Sequence, residues 1–350
     1  MLFDPLTFPC GLVVPNRIAL APMTNGQSLP DGRLGDDELA WLARRADGGF
    51  GMIETCAAYV ALEGKAWAGE LGVDRDDDSD GLARLAERIK RGGAAAIVQL
   101  FHGGVRATQK LTGEQVWSAS SFHEDTPGFE TPRAATDADV ARVIEQFADA
   151  AVRCERAGFD GVELHGAHGY LLSQFLSRTM NPRPFEERAR LIRETTRAVR
   201  ARTGARFCVG VRLSLEDRGH AKGLDLDESL QVAAWLAEDG AEFIHASLWD
   251  ASKPTTKRPA ENPIPLLRKA LPPAVRVIVA GTIWTHDEAE AALAKGADMV
   301  AIGRAAILNP DWPRTGAEHR PPMRRAELAD RAVSPVFVEY LTRWKGFVAD

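Results

Sequence analysis

The densest group of chemically useful side chains in the sequence lies in His165-Gly-Ala-His168-Gly-Tyr170. Two neutral imidazoles can donate N–H hydrogen bonds to a carbonyl or nitro oxygen while negative charge develops on it. A tyrosine has a reference pKa of about 10, so it stays protonated at neutral pH and can deliver a proton. The spacing therefore predicts a catalytic and substrate-binding cluster. Two alternatives remain open. In the first, one histidine caps a helix while Tyr170 packs in the core. In the second, the pair binds zinc, although no carboxylate cluster stands beside it.

Two glycines follow apolar runs late in the chain, in Val279-Ala-Gly281-Thr and Val300-Ala-Ile-Gly303-Arg304. Glycine lets backbone N–H groups approach a phosphate closely, and Arg304 adds a positive charge. The pattern predicts a phosphate-binding site, with ordinary turn glycines as the alternative. A G-x-G-x-x-G fingerprint is absent, so a Rossmann dinucleotide site has no support.

Arg212 and Gln99 each end an apolar run. A buried arginine needs an anionic partner, which is either an electron-rich cofactor ring or a carboxylate of Glu163 or Glu54. The amide of Gln99 offers two donors and one acceptor, which suits the edge of a heteroaromatic ring. It could equally bind the backbone of a neighbouring strand.

The scaffold for these residues is indicated by short apolar runs that alternate with amphipathic segments. The runs are continuously hydrophobic or β-branched, as expected for strands covered on both faces. Eight such units without a linker predict an α/β fold, a closed (β/α)8 TIM barrel, as one domain over residues 1–350 with a C-terminal extension at 313–350. The predicted strands are 17–22, 51–55, 95–100, 161–164, 207–213, 243–247, 275–280 and 299–302, and the predicted helices are 36–47, 79–91, 137–157, 185–203, 227–239, 263–270 and 285–295.

Residues at the carboxyl ends of barrel strands converge on the face where barrel enzymes carry out their chemistry. The long segments 101–136 and 247–262 both follow strands, so they should lie on that face too. One shared site is therefore expected. Its strand-end residues are Pro22, Met23, Thr24, Ala57, Gln99, His165, His168, Arg212, Ser247, Gly281, Gly303 and Arg304.

Composition and charge argue against several classes of protein. The 350 residues carry a net charge of −6, which does not favour nucleic acid or an anionic membrane as a partner. The N-terminus has no signal-peptide pattern, and no apolar run approaches the ~20 residues of a membrane span. A reducing cytoplasm fits best, with neither a disulfide framework nor a zinc site indicated. The four cysteines form no C-x-x-C pair: Cys10, Cys56, Cys154 and Cys208.

Four segments match the pattern of a known family, with the sequences NRIALAPMT (16–24), QLFHGG (99–104), GVELHGAHGYLLSQFL (161–176) and AIGR (301–304). Over roughly residues 1–313 the chain resembles the old yellow enzyme family of NAD(P)H:flavin oxidoreductases. It is more similar to the bacterial branch that pairs two histidines than to the branch that uses histidine and asparagine. The opening residues 6–17 resemble the family's N-terminal hairpin, which closes the bottom of the barrel.

The resemblance implies an FMN-dependent ene-reductase, in which NAD(P)H reduces FMN and hydride then passes to the β-carbon of an activated alkene such as an enone, enal or nitroalkene. His165 and His168 would bind the electron-withdrawing group, and Tyr170 would protonate the α-carbon. Because relatives associate, a homodimer is one expected state. The resemblance assigns Pro22, Met23, Thr24, Ala57 and Gln99 to the flavin ring, Arg212 to its N1 and O2 edge, and Ser247, Gly281, Gly303 and Arg304 to the phosphate.

The chain departs from the family pattern in the loop after Asn181 and at Thr24. Asn181-Pro-Arg183 lacks the Tyr-Gly-Gly piece that usually follows, so the shape of the substrate loop is left open. Thr24 stands where much of the two-histidine branch has a cysteine. Arg343 is the candidate for an arginine that enters a neighbouring subunit's site in some relatives, and a solvated helix charge is the alternative.

Three other functions are alternatives to the ene-reductase. Relatives that act on dienoyl thioesters or amines typically carry a cysteine-rich iron–sulfur segment, whereas no cysteine follows Cys208. A flavin-binding protein without turnover would not need the proton donor Tyr170. A flavin-free barrel lyase would need a lysine at a strand end, and none of the predicted strand ends has one.

Overall fold

Eight parallel strands close into a barrel, as the sequence predicted. The computed structural model describes residues 1–316 and 319–349. Ala19 of the first strand pairs with Met52 of the second and with Ala301 of the last, so the ring closes on itself. Leu71–Gly72 adds a short ninth strand beside the second. The barrel strands are β1 Ile18–Leu20, β2 Met52–Tyr59, β3 Ala95–Phe101, β4 Gly161–Gly166, β5 Cys208–Leu213, β6 Phe243–Ser247, β7 Arg276–Ala280 and β8 Met299–Ile302.

The strands are mostly apolar, as expected when both faces are covered, and the predicted bounds of β6 and β8 are confirmed. The second strand runs past the predicted end at Thr55 to Tyr59. Its pairing with β3 shifts between Glu54 and Ala57 and then resumes. Such a bulge lets a strand continue past residues that break its apolar run.

Amphipathic helices cover the outside of the barrel and begin and end at or next to the predicted residues. Thr136 caps the helix that begins at Asp137 and Thr285 caps the helix that begins at His286, each in a capping box that satisfies backbone N–H groups at the helix start. The helices are α1 Asp36–Asp47, α2 Ser79–Arg91, α3 Asp137–Arg156, α4 Phe185–Arg202, α5 Leu226–Glu238, α6 Pro263–Ala270, α7 His286–Ala294 and α8 Arg304–Leu308. None of the helices in the described ranges has the length and hydropathy needed to cross a bilayer.

An N-terminal hairpin closes the bottom of the barrel, as the resemblance implied. Leu6–Thr7 pairs with Val13–Val14 in antiparallel fashion. Phe8, in the connection between them, is buried and meets Phe243 of β6 edge to face, with 5.8 Å between ring centroids. The reactive face is therefore the opposite one.

The segment 101–136 is not a single irregular loop. It contains a 3-10 turn at Gly104–Arg106, a short helix at Gln109–Thr112 and a strand pair, Trp117–Ser118 with Arg133–Ala134. The buried Trp117 packs against His102, 5.2 Å between ring centroids, and so anchors the segment. Sequence patterns miss this because a lone tryptophan has no period.

The C-terminal extension is built from short elements, and its last residue, Asp350, lies outside the described residues. It forms short helices at Trp312–Thr315, Arg325–Ala329 and Pro335–Leu341, and pairs Met323–Arg324 with Val348–Ala349. Proline cannot continue a helix, so a new helix starts at Pro335.

Arg45 of α1 attaches this extension to the barrel. The side chain is fully buried and donates to the carbonyl groups of Ala306, Ile307 and Arg331. Phe337 of the extension packs edge to face on Trp41, 5.0 Å between ring centroids. The extension is thereby held beside the reactive face.

Candidate active site

Two adjoining cavities open at the carboxyl ends of the barrel strands. The histidine cavity, about 380 Å³, is lined by His165 and Tyr170. The glycine cavity, about 550 Å³, is lined by Gly281 and Gly303. Both are of a size typical for small-molecule and cofactor sites. They form one cleft, because both are lined by Pro22, His168, Leu248, Trp249 and Trp344.

The structure brings the predicted histidines and tyrosine together in the histidine cavity. The ring centroids of His165 and His168 lie 5.0 Å apart, and those of His165 and Tyr170 lie 4.9 Å apart. Tyr170 is the residue before the short helix Leu171–Leu176, and its ring packs edge to face on Phe101. No histidine caps that helix by its side chain, so the alternative of a capping histidine is wrong.

The backbone at His168 adopts an unusual conformation. Its φ of 61° is left-handed, a region that costs a non-glycine residue of order 1–3 kcal/mol and is concentrated at functional sites. The His168 N–H donates to Ser214 Oγ at 3.1 Å, and its Nε2 lies 2.6 Å from Ser247 Oγ. These contacts fix the ring against the cavity.

Backbone contacts decide which nitrogen of His165 carries the proton. The Ala167 N–H donates to His165 Nδ1 at 3.3 Å, so Nδ1 is the acceptor and the proton of the neutral ring sits on Nε2. Burial lowers the pKa of both histidines well below 6.5. The charges of His168 and Arg212 add to the shift at His165. The charge of Arg212 adds to the shift at His168. Both rings are neutral hydrogen-bond donors at neutral pH.

We expect ligand binding at this pair to be insensitive to pH around the usual histidine range. Affinity for a saturated ketone such as cyclohexanone should stay constant from pH ~6 to pH ~9, since the rings take up protons only below their lowered pKa. Isothermal titration calorimetry across this pH range measures it. An inflection near the ordinary histidine pKa would contradict the neutral pair.

Tyr170 is protonated and its hydroxyl is available. Burial raises the pKa of Tyr170 to about 12, with Arg106 opposing the shift. The hydroxyl has no hydrogen-bond partner within residues 1–316 and 319–349, and the side chain lines the histidine cavity. A neutral phenol facing a cavity can donate its proton to a ligand there.

Arg212 ends β5 without a carboxylate partner among the described residues, which rules out a direct ion pair with Glu163 or Glu54 there. Its Nη2 donates to Ser247 Oγ at 3.2 Å, and its Nε is buried with no partner. Burial lowers the pKa of the guanidinium, while the charges of Glu163 and Glu54 raise it. The arginine therefore presents an unused donor on the wall of the glycine cavity.

Gln99 bonds a side chain of the next strand rather than a backbone. Its Nε2 donates to Glu163 Oε1 at 2.7 Å, which leaves the amide oxygen for the cavity that Gln99 lines. Glu163 Oε2 in turn lies 2.7 Å from His245 Nδ1, and Glu54 Oε2 lies 3.5 Å from the same nitrogen. Sequence reasoning missed His245, although a histidine inside the apolar run of β6 was the available signal.

The glycine cavity gathers the predicted phosphate residues except Ser247. Gly281, Gly303 and Arg304 all line it, and the exposed Arg304 has no carboxylate within 4.0 Å in the described part of the chain. Its Nη2 donates to Thr282 Oγ1 at 3.1 Å. Ser247 instead lines the histidine cavity, between His168 and Arg212. Its hydroxyl hydrogen-bonds His168, which follows β4, and Arg212 of β5, and its assignment to the phosphate stays a prediction.

A family model described as "NADH:flavin oxidoreductase / NADH oxidase family" matches residues 1–322. The chain belongs to this family. It is 34% identical over 323 residues to a probable NADH-dependent flavin oxidoreductase of Bacillus subtilis, covering 89% of this chain and 86% of the relative. It is 35% identical over 327 residues to an NADH:acrylate oxidoreductase of Vibrio harveyi, covering 89% of this chain but 32% of that longer protein.

A solved structure of an old yellow enzyme homologue from Zymomonas mobilis is also similar, with a TM-score of 0.78, 28% identity and coverage of 89% of this chain and 91% of that one. The chain is thus an NAD(P)H-dependent flavin oxidoreductase of the old yellow enzyme type, with FMN as cofactor and NAD(P)H as hydride donor.

The residues of the cleft fit FMN. The buried Nε of Arg212 has no protein partner in the described residues and suits an electron-rich ring edge. A Cβ placed on Gly303 would make an ordinary contact with Met23 Sδ at 3.5 Å, so its absence leaves room for a ligand to approach the backbone of the cavity wall. Pro22 lines both cavities, Met23 the glycine cavity, and Thr24 and Ala57 the histidine cavity. These four residues therefore run along the cleft from one cavity to the other.

Two aromatic residues of the oxidoreductase were missed by sequence reasoning. Tyr340 and Trp344, both from the C-terminal extension, line the histidine cavity. Arg343 is exposed and lies over its own chain's Tyr340 ring, 5.0 Å from the centroid. Tyr340 and Trp344 lie far from the barrel strands in sequence. No local sequence pattern indicated that they would reach the cavity.

The structure also brings together cysteines that are far apart in sequence. Cys10 of the hairpin and Cys208 of β5 lie with Glu242 so that their ligand atoms are within 4.8 Å of one another. All four cysteines are free thiols. This contact is at the bottom of the barrel, away from the cleft.

Proposed function

We propose that this flavin oxidoreductase is an ene-reductase that reduces the C=C bond of an activated alkene, with the barrel and the C-terminal extension acting as one domain. The observation that carries the proposal is the placement of two neutral histidines and one protonated tyrosine in a cavity that adjoins a cleft fitting FMN. When bound, FMN supplies the hydride that it has received from NAD(P)H.

The histidine pair binds the electron-withdrawing group. The Nε2–H of His165 and the ring of His168 face the same cavity, with 5.0 Å between ring centroids. Neutral N–H donors aimed at a carbonyl or nitro oxygen stabilise the negative charge that develops there, and one such donor is typically worth about 10²–10³ in rate. Ser247, held by Arg212, supports His168 from behind.

Tyr170 supplies the proton to the α-carbon. Its hydroxyl is not engaged by another described residue, and the raised pKa keeps it protonated. A protein that only stores or senses flavin would have no use for this donor, which favours turnover over binding alone. The cleft walls hold the cofactor through Pro22, Met23, Thr24, Ala57, Gln99, Arg212, Gly281, Gly303 and Arg304.

The substrate class is an alkene conjugated to an oxygen-bearing acceptor group, such as an enone, enal or nitroalkene. The hydrogen-bond donors of the histidine cavity match an acceptor oxygen of the substrate. The aromatic walls of the same cavity then position the C=C bond. The name of the Vibrio harveyi relative, NADH:acrylate oxidoreductase, supports a substrate with a C=C bond beside a carboxyl carbon.

The proposal is tested by following the colour of the holoenzyme without oxygen. Purified protein should be yellow, should be bleached by NADH or NADPH under nitrogen, and should regain its colour when an enone such as 2-cyclohexenone is added. Recovery of cyclohexanone in an amount equal to the flavin reoxidised confirms C=C reduction.

Two outcomes would contradict it. A colourless preparation that takes up no FMN is inconsistent with the cleft as a flavin site. A yellow protein that is bleached by NAD(P)H but is reoxidised by none of an enone, an enal and a nitroalkene would instead point to another oxidant.

A further inference from the structure

A cationic group stands beside Tyr170 that the proposed reaction does not use. The guanidinium of the half-buried Arg106 lies 5.5 Å from the centroid of the Tyr170 ring. Arg218 and His220 line the histidine cavity itself, and His220 also lines a smaller cavity of about 180 Å³ together with Arg106. Three donors from two separate loops therefore border Tyr170.

Neither arginine is neutralised by an ion pair. Within residues 1–316 and 319–349, no carboxylate lies within 4.0 Å of the Arg106 or Arg218 side chain, whereas most other arginines have such a partner. Glu124 and Glu130 line the smaller cavity as well, and Glu130 accepts from the Gln109 N–H. Arg106 is half-buried, and a partly buried cation without a partner is costly unless a ligand supplies the anion, whereas Arg218 is exposed.

Hydrogen bonds from Gln174 fix the turn that carries Arg106. The buried Gln174 uses its whole amide: Nε2 donates to the carbonyls of Gly103 and Gly169, and Oε1 accepts from Val105 N–H. One side chain thus ties the turn that carries Arg106 to the residue before Tyr170. A Cβ on Gly104 would lie 2.2 Å from Gln174 Oε1, so only glycine permits this contact.

The turn that carries Arg218 and His220 is pressed against the same loop. Arg218 and Ala221 form a bridge across the turn. A Cβ on Gly169 would lie 2.2 Å from the His220 carbonyl oxygen. Gly169, with a φ of 74°, can therefore bring this turn against Tyr170, and a larger residue could not.

We propose that Arg106, Arg218 and His220 form an anion subsite beside Tyr170, which binds a carboxylate or phosphate of a ligand whose reacting end lies at the histidine pair. The inference rests on the proposed function and adds that the ligand carries a negatively charged group. Oxygen anions of this kind can come from two sources, a carboxylated alkene or the phosphates of the nicotinamide cofactor. Guanidinium groups bind both through paired N–H donors.

The first arm of the test uses ligands that differ in charge. Binding of 4-oxopentanoate and of its methyl ester to the oxidised holoenzyme is measured by flavin absorbance, and turnover of trans-4-oxopent-2-enoate is compared with that of its methyl ester. A charge-assisted contact predicts a preference for the acid of about tenfold or more. Arg106→Gln and Arg218→Gln should each reduce this ratio toward one, while Arg156→Gln, on the exposed end of α3, should keep it.

The second arm measures the NADH concentration that half-saturates anaerobic bleaching of the flavin. A rise of about tenfold in both arginine variants, with an unchanged acid-to-ester ratio, assigns the subsite to the cofactor phosphates. If neither the ratio nor the half-saturating concentration changes in either variant, the subsite is refuted. Failure of the wild type to reduce either alkene would refute the ene-reductase, while the binding of the saturated pair would still decide the subsite.

Discussion

Tyr170→Phe should slow reoxidation of the reduced flavin by an enone by about 10²–10⁴-fold, the usual contribution of a general acid. Phenylalanine retains the ring that packs on Phe101, with 4.5 Å between centroids, so the substitution removes only the hydroxyl. Reduction of the flavin by NAD(P)H needs no proton from this residue and should be nearly unchanged. Stopped-flow absorbance measures the two half-reactions separately.

Tyr340→Phe is the matched control for that experiment. Tyr340 also lines the histidine cavity, but it comes from the C-terminal extension and its ring is not packed against the histidine pair. Loss of its hydroxyl should leave both half-reactions close to wild type. Equal slowing of the two half-reactions in Tyr170→Phe would show that the residue positions the flavin or the cavity and does not donate a proton.

The barrel could be predicted from sequence because each of its units repeats the same local pattern. The apolar runs of β6 and β8 and the capped starts of α3 and α7 depend on residues close in sequence. The segment 101–136 and the C-terminal extension could not be predicted in detail. Their structure depends on single long-range contacts, such as those of Trp117 with His102 and of Arg45 with the carbonyl of Arg331.

The site could be predicted to the extent that it depends on the ends of barrel strands. Every predicted site residue lines one of the two cavities, because the fold brings strand ends together whatever the loops do. Tyr340 reaches the cleft from the extension and Arg218 from a loop, and their positions follow from packing that no local pattern records. The predicted homodimer and the cytoplasmic location stay predictions.

The buried charges beneath the cleft explain why Arg212 matters beyond its own contacts. Burial raises the pKa of Glu54 to about 7, with Glu163 adding to the shift and His245 opposing it. For Glu163, burial raises the pKa, but the charges of His245 and Arg212 lower it overall. Arg212 is thus part of the balance that keeps a carboxylate ionised inside the barrel, and its side chain also lines the glycine cavity of the cofactor cleft.

Arg212→Met should weaken FMN binding by about 10–100-fold, since a hydrogen bond to a charged group contributes ~1.5–3 kcal/mol. Methionine fills similar volume but supplies neither the donor nor the charge. Removing the cation also leaves Glu163 and Glu54 less compensated, so the pKa of both carboxyl groups should rise. Titration of the apoprotein with FMN, followed by quenching of flavin fluorescence, measures the affinity.

Arg276→Met provides the matched control, because Arg276 begins β7 at the opposite end of the barrel and donates to the Thr7 carbonyl oxygen. It should bind FMN like the wild type, which separates loss of a cleft contact from general loosening of the barrel. Arg212→Lys keeps the charge but loses the planar set of donors, so intermediate affinity would assign part of the effect to each. Wild-type FMN affinity in Arg212→Met, with an unchanged far-UV circular dichroism spectrum, would show that the arginine serves the buried carboxylates alone.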